Sequence, residues 1–289
     1  MTQVRIAAVQ HQMKPITIFD QFADQVSSYV RAARDWDSHF VLLPEMFTLQ
    51  LLSFFPRKDP QTAIRLLHEF TDRYIELFQN LAQETDLYII AGTHMVKTEN
   101  DLMYNMSYLF HPDGKIDCQP KVHLTPYEKS AWLVQGGDEF KVFDTKHGKV
   151  AILICYDIEF PEAAKIVTDL GAKIIFCPSC TDDEHGFHRV RFSCHTRAIE
   201  NQVYVVHTGT TGWLPNVQYM EGNYGEAAII APCDTPFPPQ GIIAKGQANM
   251  ESIIVGDIDL ELLKKLPERG SVRTVQDRRP EIYRKYIQY

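Results

Sequence analysis

Short apolar runs rich in β-branched residues alternate along this chain with segments in which apolar residues recur at helical spacing. The runs at residues 5–9, 40–44 and 88–92 are largely apolar, which is typical of strands that are buried on both faces of a sheet. Residues 22–33 and 64–81 place apolar side chains along one face of a helix. The pattern predicts strands and helices that alternate, as in an α/β fold.

A second set of runs resembles the first set in order and composition. Residues 151–155, 174–178 and 204–208 repeat the sequence of three short strands in the second part of the chain. This similarity predicts two structurally related halves. The other interpretation, that apolar strands resemble one another in any protein, stays open from one sequence.

Turn-forming residues break the alternation after residue 92. Residues 104–110 and 115–117 flank His-Pro-Asp-Gly at residues 111–114, a composition that predicts an antiparallel hairpin. A second β-rich region covers residues 227–258. A hairpin inserted in each half fits two mixed β-sheets that pack face to face with helices outside them.

The composition is that of an ordinary folded protein, and it narrows the choice of partners and compartment. Of the 289 residues, 29 are basic and 37 acidic, giving a net charge of −8, and no basic cluster marks a nucleic-acid surface. We expect no nucleic-acid partner. The N-terminal residues lack the features of a signal peptide, and no run is long enough to span a membrane. Six scattered cysteines therefore predict reduced thiols in the cytoplasm, with no membrane association.

Cys155 is the first candidate for chemistry because it ends the apolar run at residues 150–154. A sharp turn and a helix follow, and Pro161 in the first helical turn fixes φ where no amide donor is needed. A thiol at this position lies at the mouth of a sheet, and the partial positive charge of a helix N-terminus is expected to lower its pKa, so that the thiolate needed for nucleophilic attack becomes accessible. The alternative is a buried cysteine with a structural role only.

A cysteine nucleophile needs a base, and Glu45 is the better candidate for it. Glu45 directly follows the apolar residues 41–44, so burial is expected to raise its pKa towards the range of a general base. His11, His94, His123 and His207 lie near strand ends, but none has an evident carboxylate to orient it.

Three motifs in this order make the chain similar to the nitrilase superfamily of carbon–nitrogen hydrolases. They are Leu-Pro-Glu at residues 43–45, Lys-Val-His-Leu at residues 121–124, and Cys-Tyr-Asp at residues 155–157 with Phe-Pro-Glu at residues 160–162. Residues 178–179 and 197–202 agree with the same family. The resemblance extends from residue 4 to about residue 257.

The resemblance implies a four-layer αββα sandwich of two mixed β-sheets with outer helices, assembled into homodimers or larger homo-oligomers, and no metal or organic cofactor. It implies a catalytic triad of Glu45, Lys121 and Cys155. It places Glu128 where many members carry a second glutamate that positions substrate or water. We expect one domain over residues 1–289, with residues 260–289 as a C-terminal extension that packs on its own core or on a neighbouring subunit.

The same resemblance suggests an amidase. Tyr156 and Asp157 after the cysteine look more like amidase-type members than like nitrile-cleaving ones, and the Tyr156 backbone amide is expected to join Lys121 in stabilising an oxyanion. Glu159 stands where many relatives carry arginine; it either disfavours anionic substrates or stabilises the start of a helix. The expected reaction is hydrolysis of a small carboxamide to acid and ammonia through a cysteine thioester. Nitrile or N-carbamoyl substrates are the alternatives.

Two other functions compete with this one. Cys177 and Cys180 form a C-x-x-C pair that is able to act in redox chemistry or to supply half of a zinc site. A binding protein that keeps the hydrolase fold without its activity is the second alternative, although an intact triad argues against it.

The sequence leaves the substrate open because its charged candidates conflict. We expect pocket walls from residues 47–55, 125–132, 181–189 and 213–224. Basic side chains suited to a carboxylate are His185, His188, Arg189 and Arg191. Acidic side chains suited to an amine are Glu159, Asp182, Asp183 and Glu184.

Overall fold

The computed structural model describes residues 3–55, 58–215, 217–218 and 220–286. Its strands are β1 (Gln3–Met13), β2 (Phe40–Leu43), β3 (Tyr88–Ala91), β4 (His94–Lys97), β5 (Met103–Phe110), β6 (Ile116–Pro120), β7 (Val134–Gln135), β8 (Val142–Thr145), β9 (Gly148–Ile152), β10 (Ile174–Ser179), β11 (Tyr204–Gly212), β12 (Ala228–Ile230), β13 (Ile242–Lys245) and β14 (Ser252–Asp259). Its α-helices are α1 (Phe19–Asp35), α2 (Pro60–Leu67), α3 (Thr71–Thr85), α4 (Pro126–Ser130), α5 (Pro161–Asp169), α6 (Glu184–Asn201), α7 (Leu260–Arg269) and α8 (Pro280–Tyr283). Short 3₁₀ helices cover Phe47–Phe54, His68–Phe70 and Cys155–Glu159.

The two halves of the chain repeat one arrangement of parallel strands. In the first half β2 lies between β1 and β3, and in the second half β10 lies between β9 and β11. An antiparallel strand then follows in each half, β5 beside β3 and β12 beside β11. The predicted relation between the halves is confirmed in this strand order.

The central strands are buried on both faces because they lie between a helical layer and the opposite sheet. Phe40 and Leu42 of β2 point into the space between the sheets, where the Phe40 ring lies 5.4 Å from the ring of Phe176 on β10. Val41 and Leu43 point to the other face, into the cluster formed with α1 and α3. The two sheets therefore pack face to face, and the predicted α/β sandwich is confirmed.

Strand β1 joins the two sheets into one curled sheet. Its residues Ile6–Ala8 pair in parallel with β2, and its last residues His11–Met13 pair in parallel with β11. β14 runs antiparallel to β1 over Gln3–Gln10. The β-rich region at residues 227–258 therefore does not stay in the second half, since β12 and β13 extend that half and β14 returns to the first.

The helices cover the outer faces of the sheets, as predicted. α1 buries Phe22, Val26 and Val30 against the first sheet. The periodic segment at residues 64–81 is divided between α2 and α3, because His68 accepts from the Lys97 amide and bonds to the Thr71 hydroxyl at the turn between them.

No helix of the described residues is long and apolar enough to cross a membrane.

The hairpin of β5 and β6 forms where the turn sequence predicts it. Tyr108 and Cys118 pair across the two strands, and the turn closes through the Gly114 amide, which donates to the His111 carbonyl. Gly114 has a φ of +87°, a left-handed conformation in which glycine carries no side-chain penalty. This hairpin leads the chain directly to Lys121.

The end of the chain divides into a packed and an exposed part. Helix α7 buries Leu260, Leu263 and Leu266 in the core of the second half. After it most side chains are exposed, Tyr286 at 81%, and Tyr289 lies outside the described residues. Residues 287 and 288 also lie outside the described residues, and the packing of the predicted extension, residues 260–289, on a neighbouring subunit stays a prediction.

Removing one ring from the space between the sheets should cost far more stability than removing an exposed ring. Phe176 is fully buried, so we expect Phe176→Ala to lower the free energy of unfolding by about 3–5 kcal/mol in urea denaturation. The matched control is Phe192→Ala on α6, where the ring is 63% exposed and we expect a change of less than about 0.5 kcal/mol. Equal losses in both variants would contradict the packing described above.

Candidate active site

The ends of several strands meet around a cavity of about 260 Å³. Glu45 follows β2, Lys121 follows β6, and Cys155 follows β9, so the strands deliver three predicted site residues to one place. Helix α4 adds Glu128. The cavity is lined by Glu45, Met46, Lys121, Thr125, Tyr127, Glu128, Trp132, Cys155, Cys180, Asp182 and Met220. Three of the four predicted wall segments contribute to it; residues 47–55 line a separate narrow cleft instead.

Lys121 is buried between two carboxylates. Its Nζ lies 2.8 Å from Oε1 of Glu45 and 2.8 Å from Oε2 of Glu128, and all three side chains are at most 2% exposed. Burial alone would lower the pKa of Lys121, but the charges of Glu128 and Glu45 raise it well above its ordinary value. Lys121 is therefore a fixed positive charge. We call these three residues the buried charge cluster.

Glu45 has partners for both of its carboxylate oxygens. Oε1 accepts from Lys121 and from Asn105 Nδ2 at 3.0 Å, and Oε2 accepts from the Cys180 backbone amide at 3.0 Å. Burial raises the pKa of Glu45, and the nearby charge of Glu128 raises it further against the opposing effect of Lys121. A carboxylate that is oriented and made more basic in this way is suited to accept a proton.

Glu128 is held by its own helix terminus. Thr125 is the N-cap of α4, and its hydroxyl accepts from the Glu128 amide while the Glu128 carboxylate accepts from the Thr125 amide at 2.9 Å. Burial by itself would raise the pKa of Glu128, but Lys121 and these hydrogen bonds hold it below its ordinary value. The two carboxylates beside Lys121 therefore differ, since Glu128 favours the ionised form and Glu45 takes up a proton more readily.

Asn105 is a site residue that the sequence interpretation missed. It is fully buried on β5, and its Nδ2 donates to Glu45 at 3.0 Å and to Glu128 at 3.0 Å. A signal was present, because Asn105 occupies one of the alternating inward positions of this strand, where an apolar residue is expected. The amide fixes the separation of the two carboxylates.

The Cys155 turn and the lysine segment are tied together by Asp157. This carboxylate is fully buried and accepts from the His123 amide at 2.7 Å and from the Ile154 amide at 3.3 Å. Cys155 itself has a φ of +46°, a strained conformation for a residue with a side chain. The strand, the sharp turn and α5 with Pro161 at its start are confirmed.

The expectation that a helix N-terminus lowers the pKa of Cys155 is wrong for this structure. Burial raises the pKa of the thiol well above its ordinary value, and the charge of Glu45 raises it further. The Sγ atom lies 3.9 Å from the carbonyl oxygen of Cys180, towards which it donates. The resting side chain is a neutral thiol, so thiolate formation depends on a base.

The four candidate histidines do not line the cavity. His123 is engaged with Asp157 at 2.9 Å and stacks on the Phe160 ring. Burial lowers the pKa of His11 to about 4 and that of His94 to about 3. His207 is buried beside Arg191. The described geometry favours a carboxylate as the base.

Two predicted positioning residues lie outside the cavity lining. The Tyr156 ring packs against Phe160 with ring centres 4.9 Å apart. The Glu159 carboxylate lies 3.5 Å from the Arg189 guanidinium. Burial raises the pKa of Glu159, and Arg189 opposes that shift. Glu159 is thus a partly buried carboxylate that pairs with Arg189 and does not line the cavity.

The C-x-x-C pair is split between two environments. Cys177 is fully buried in β10, whereas Cys180 lines the cavity and lies 3.4 Å from Asn223 Oδ1 and 3.2 Å from the Thr210 hydroxyl. Both thiols are free. Within the described ranges no group of three or more His, Cys, Asp or Glu side chains is placed to hold a metal ion.

Comparison with known proteins places this arrangement in a family. The profile described as "Carbon-nitrogen hydrolase" matches residues 5–268, which is most of the chain. The chain belongs to the carbon–nitrogen hydrolase family, and the prediction of a hydrolase of the nitrilase superfamily is confirmed.

Individual relatives agree with this assignment. The chain is 46% identical to the probable hydrolase YhcX of Bacillus subtilis over 286 residues. This aligned region covers 99% of this chain and 55% of that protein. The chain therefore spans about half the length of this relative. It is 26% identical to the omega-amidase NIT2 of Xenopus tropicalis over 98% of both chains. The crystal structure of a carbon–nitrogen hydrolase from Helicobacter pylori shares the fold, with a TM-score of 0.81 and 21% identity over 100% of this chain and 99% of that one.

Removing the charge of Glu45 should make the Cys155 thiol more acidic. Burial raises the pKa of Cys155, the charge of Glu45 raises it further, and Lys121 lowers it, so Glu45→Gln removes one raising effect and keeps the lowering one. We expect iodoacetamide to alkylate Cys155 faster near neutral pH, by about tenfold for each unit by which the pKa falls. Alkylation is followed by peptide mass spectrometry across the neutral and alkaline range.

Glu128→Gln is the matched control. It also removes a carboxylate from the buried charge cluster, but Glu128 affects the pKa of Cys155 less than Glu45 does. We expect its alkylation profile to move less than that of Glu45→Gln. An unchanged Glu45→Gln profile would show that the charge of Glu45 does not act on this thiol, and a profile displaced to higher pH would show that Glu45 promotes thiolate formation as a proton acceptor more than its charge opposes it.

Proposed function

We propose that the chain hydrolyses a small carboxamide to the carboxylic acid and ammonia through a thioester on Cys155. One observation carries this proposal: a buried lysine between two carboxylates lines the same cavity as the Cys155 thiol. The omega-amidase relative supports the choice of an amide substrate. The cavity lies below the usual range of roughly 300–1,000 Å³ for ligand pockets, which favours a small substrate.

Acylation begins with proton transfer from the Cys155 thiol to Glu45. The thiolate then attacks the amide carbon, a carbon–sulfur bond forms, and the carbonyl electron pair moves to oxygen. Collapse of this intermediate breaks the carbon–nitrogen bond. The proton held by Glu45 passes to the leaving nitrogen, so that ammonia departs and Glu45 is again ionised.

Two donors are suited to stabilise the oxyanion. The Lys121 ammonium is already oriented by Glu45 and Glu128, so it needs little rearrangement when negative charge develops nearby. The backbone amide of Tyr156, directly after the nucleophile, is the second donor in this proposal. Each contribution grows as the carbonyl oxygen becomes an anion, which lowers the barrier rather than only strengthening substrate binding.

Deacylation uses the same base. A water molecule gives a proton to Glu45 and attacks the thioester carbon, and the carbon–sulfur bond then breaks. The proton returns from Glu45 to the Cys155 sulfur, which restores the starting thiol. Glu128 positions the reacting group through its contact with Lys121, so its role is to hold geometry and not to transfer the proton.

The nucleophile is tested by Cys155→Ala. We expect ammonia release to fall by at least about 10³-fold while the free energy of unfolding changes little, since the substitution removes the attacking atom and not the fold. Cys233→Ala is the matched control because Cys233 is exposed and does not line the cavity. Turnover by Cys155→Ala at the wild-type rate would rule out the thioester route.

The bond cleaved is tested by a substrate screen with Cys155→Ala as the blank. Aliphatic amides, ω-amides, N-carbamoyl compounds and nitriles are compared by ammonia release. We expect carboxamides to be hydrolysed with the highest kcat/KM. Cleavage of nitriles or of N-carbamoyl compounds in preference to every amide would contradict the proposed reaction.

A further inference from the structure

We propose that Asp182 selects amides whose far end carries an ammonium group. This inference rests on the proposed amidase function and adds the chemical class of the substrate. It begins from the charges that line the cavity. Four charged side chains of the described residues do so, namely Glu45, Lys121, Glu128 and Asp182.

Three of these four charges are committed to one another. Lys121 is 2.8 Å from each of Glu45 and Glu128, so the buried charge cluster pairs one cation with two carboxylates and offers no net positive charge to a substrate carboxylate. Asp182 has no ion-pair partner among the residues that the structure describes. It is therefore the charge in the cavity wall that is available to a ligand.

The basic side chains that the sequence offered for a carboxylate lie elsewhere. Arg191 is buried and donates to Glu226 at 3.0 Å and to His207 at 3.1 Å. Arg189 pairs with Glu159, and together with His185 and His188 it lines a different, open cavity of about 420 Å³. The conflict between basic and acidic candidates is thus resolved in favour of an acidic cavity mouth.

The backbone beside Asp182 is held in place. The Thr181 hydroxyl donates to the Tyr224 carbonyl at 2.8 Å, and the Tyr224 amide donates to the Thr181 carbonyl at 2.9 Å. Asp182 is exposed and lines the same cavity as Cys180, and burial raises the pKa of the Cys180 thiol with a smaller contribution from the Asp182 charge. A carboxylate on an anchored segment is able to fix the position of a cationic group.

The remaining lining suits a short apolar stem with a cation at its end. The rings of Tyr127 and Trp132 lie edge to face with centres 5.1 Å apart, and Met46 and Met220 add flexible apolar surface. Methylene groups pack well on such a surface, and aromatic faces attract ammonium groups. A carboxylate at the same place would meet the like charge of Asp182.

Three amides of nearly equal size test the selectivity: 5-aminopentanamide, pentanamide and the monoamide of glutaric acid. We expect wild-type kcat/KM to decrease in that order. Asp182→Asn should lower kcat/KM for 5-aminopentanamide by roughly 10- to 100-fold, the value of one hydrogen bond to a charged group, and change pentanamide by less than about threefold. Asp183→Asn is the matched control, since that carboxylate caps α6 at the Gly186 amide and does not line the cavity.

A second measurement reads the cavity charge without turnover. Cys155 is labelled with a cationic reagent, 2-aminoethyl methanethiosulfonate, and with an anionic one, 2-sulfonatoethyl methanethiosulfonate, and peptide mass spectrometry gives each rate. Exposed Cys233 is the internal reference. We expect the cationic-to-anionic rate ratio at Cys155 to exceed that at Cys233 by about tenfold, and Asp182→Asn to remove most of this excess.

The outcomes separate this inference from the proposed function. A labelling excess that depends on Asp182, in a protein that releases ammonia from no amide, would uphold the cationic selectivity and overturn the amidase reaction. Hydrolysis of pentanamide with no labelling excess, or with Asp182→Asn reducing all three amides equally, would overturn the role of Asp182 alone. Preference for the glutaric monoamide in the wild type would do the same.

Discussion

The ion pairs of Lys121 with Glu45 and Glu128 are the constraint on which the site depends. Three charges are removed from water, and such a group is tolerated only when each charge has close partners. Loss of one partner leaves an uncompensated buried charge, at a cost of about 3–5 kcal/mol. Because these residues follow β2 and β6 and lie on α4, the same contacts hold three separate segments around the cavity.

The buried charge cluster also determines which groups of the site hold a proton. One ammonium faces two carboxylates, so the group has an excess of negative charge that is relieved when Glu45 takes up a proton. Burial raises the pKa of the Cys155 thiol, and the negative charge of Glu45 raises it further. A neutral nucleophile beside a basic carboxylate stores the proton needed later by the leaving group, which is why no histidine is needed in the proposed cycle.

Local patterns in the sequence were sufficient for much of the fold and for part of the site. The β5–β6 hairpin and the strand-turn-helix at Cys155 formed as predicted, because turn residues and apolar runs act over a few positions. The return of β14 to β1 and the contacts of Asn105 were missed. Both depend on residues that are far apart in the chain. No pattern over a few neighbouring residues predicts the order of strands in a sheet or a hydrogen bond between distant side chains.

The sequence by itself determined which side chains are present at the strand ends and the order in which they occur. Tertiary structure decided which of them meet. Asp182 and Arg189 lie seven positions apart, yet the chain places Asp182 before α6 at the cavity and Arg189 on the helix beside Glu159. The physical reason is that Asp182 precedes α6 and follows the path of the loop into the cavity wall, whereas Arg189 lies within the helix, so the packing of loop and helix decides which of the two side chains meets the cavity.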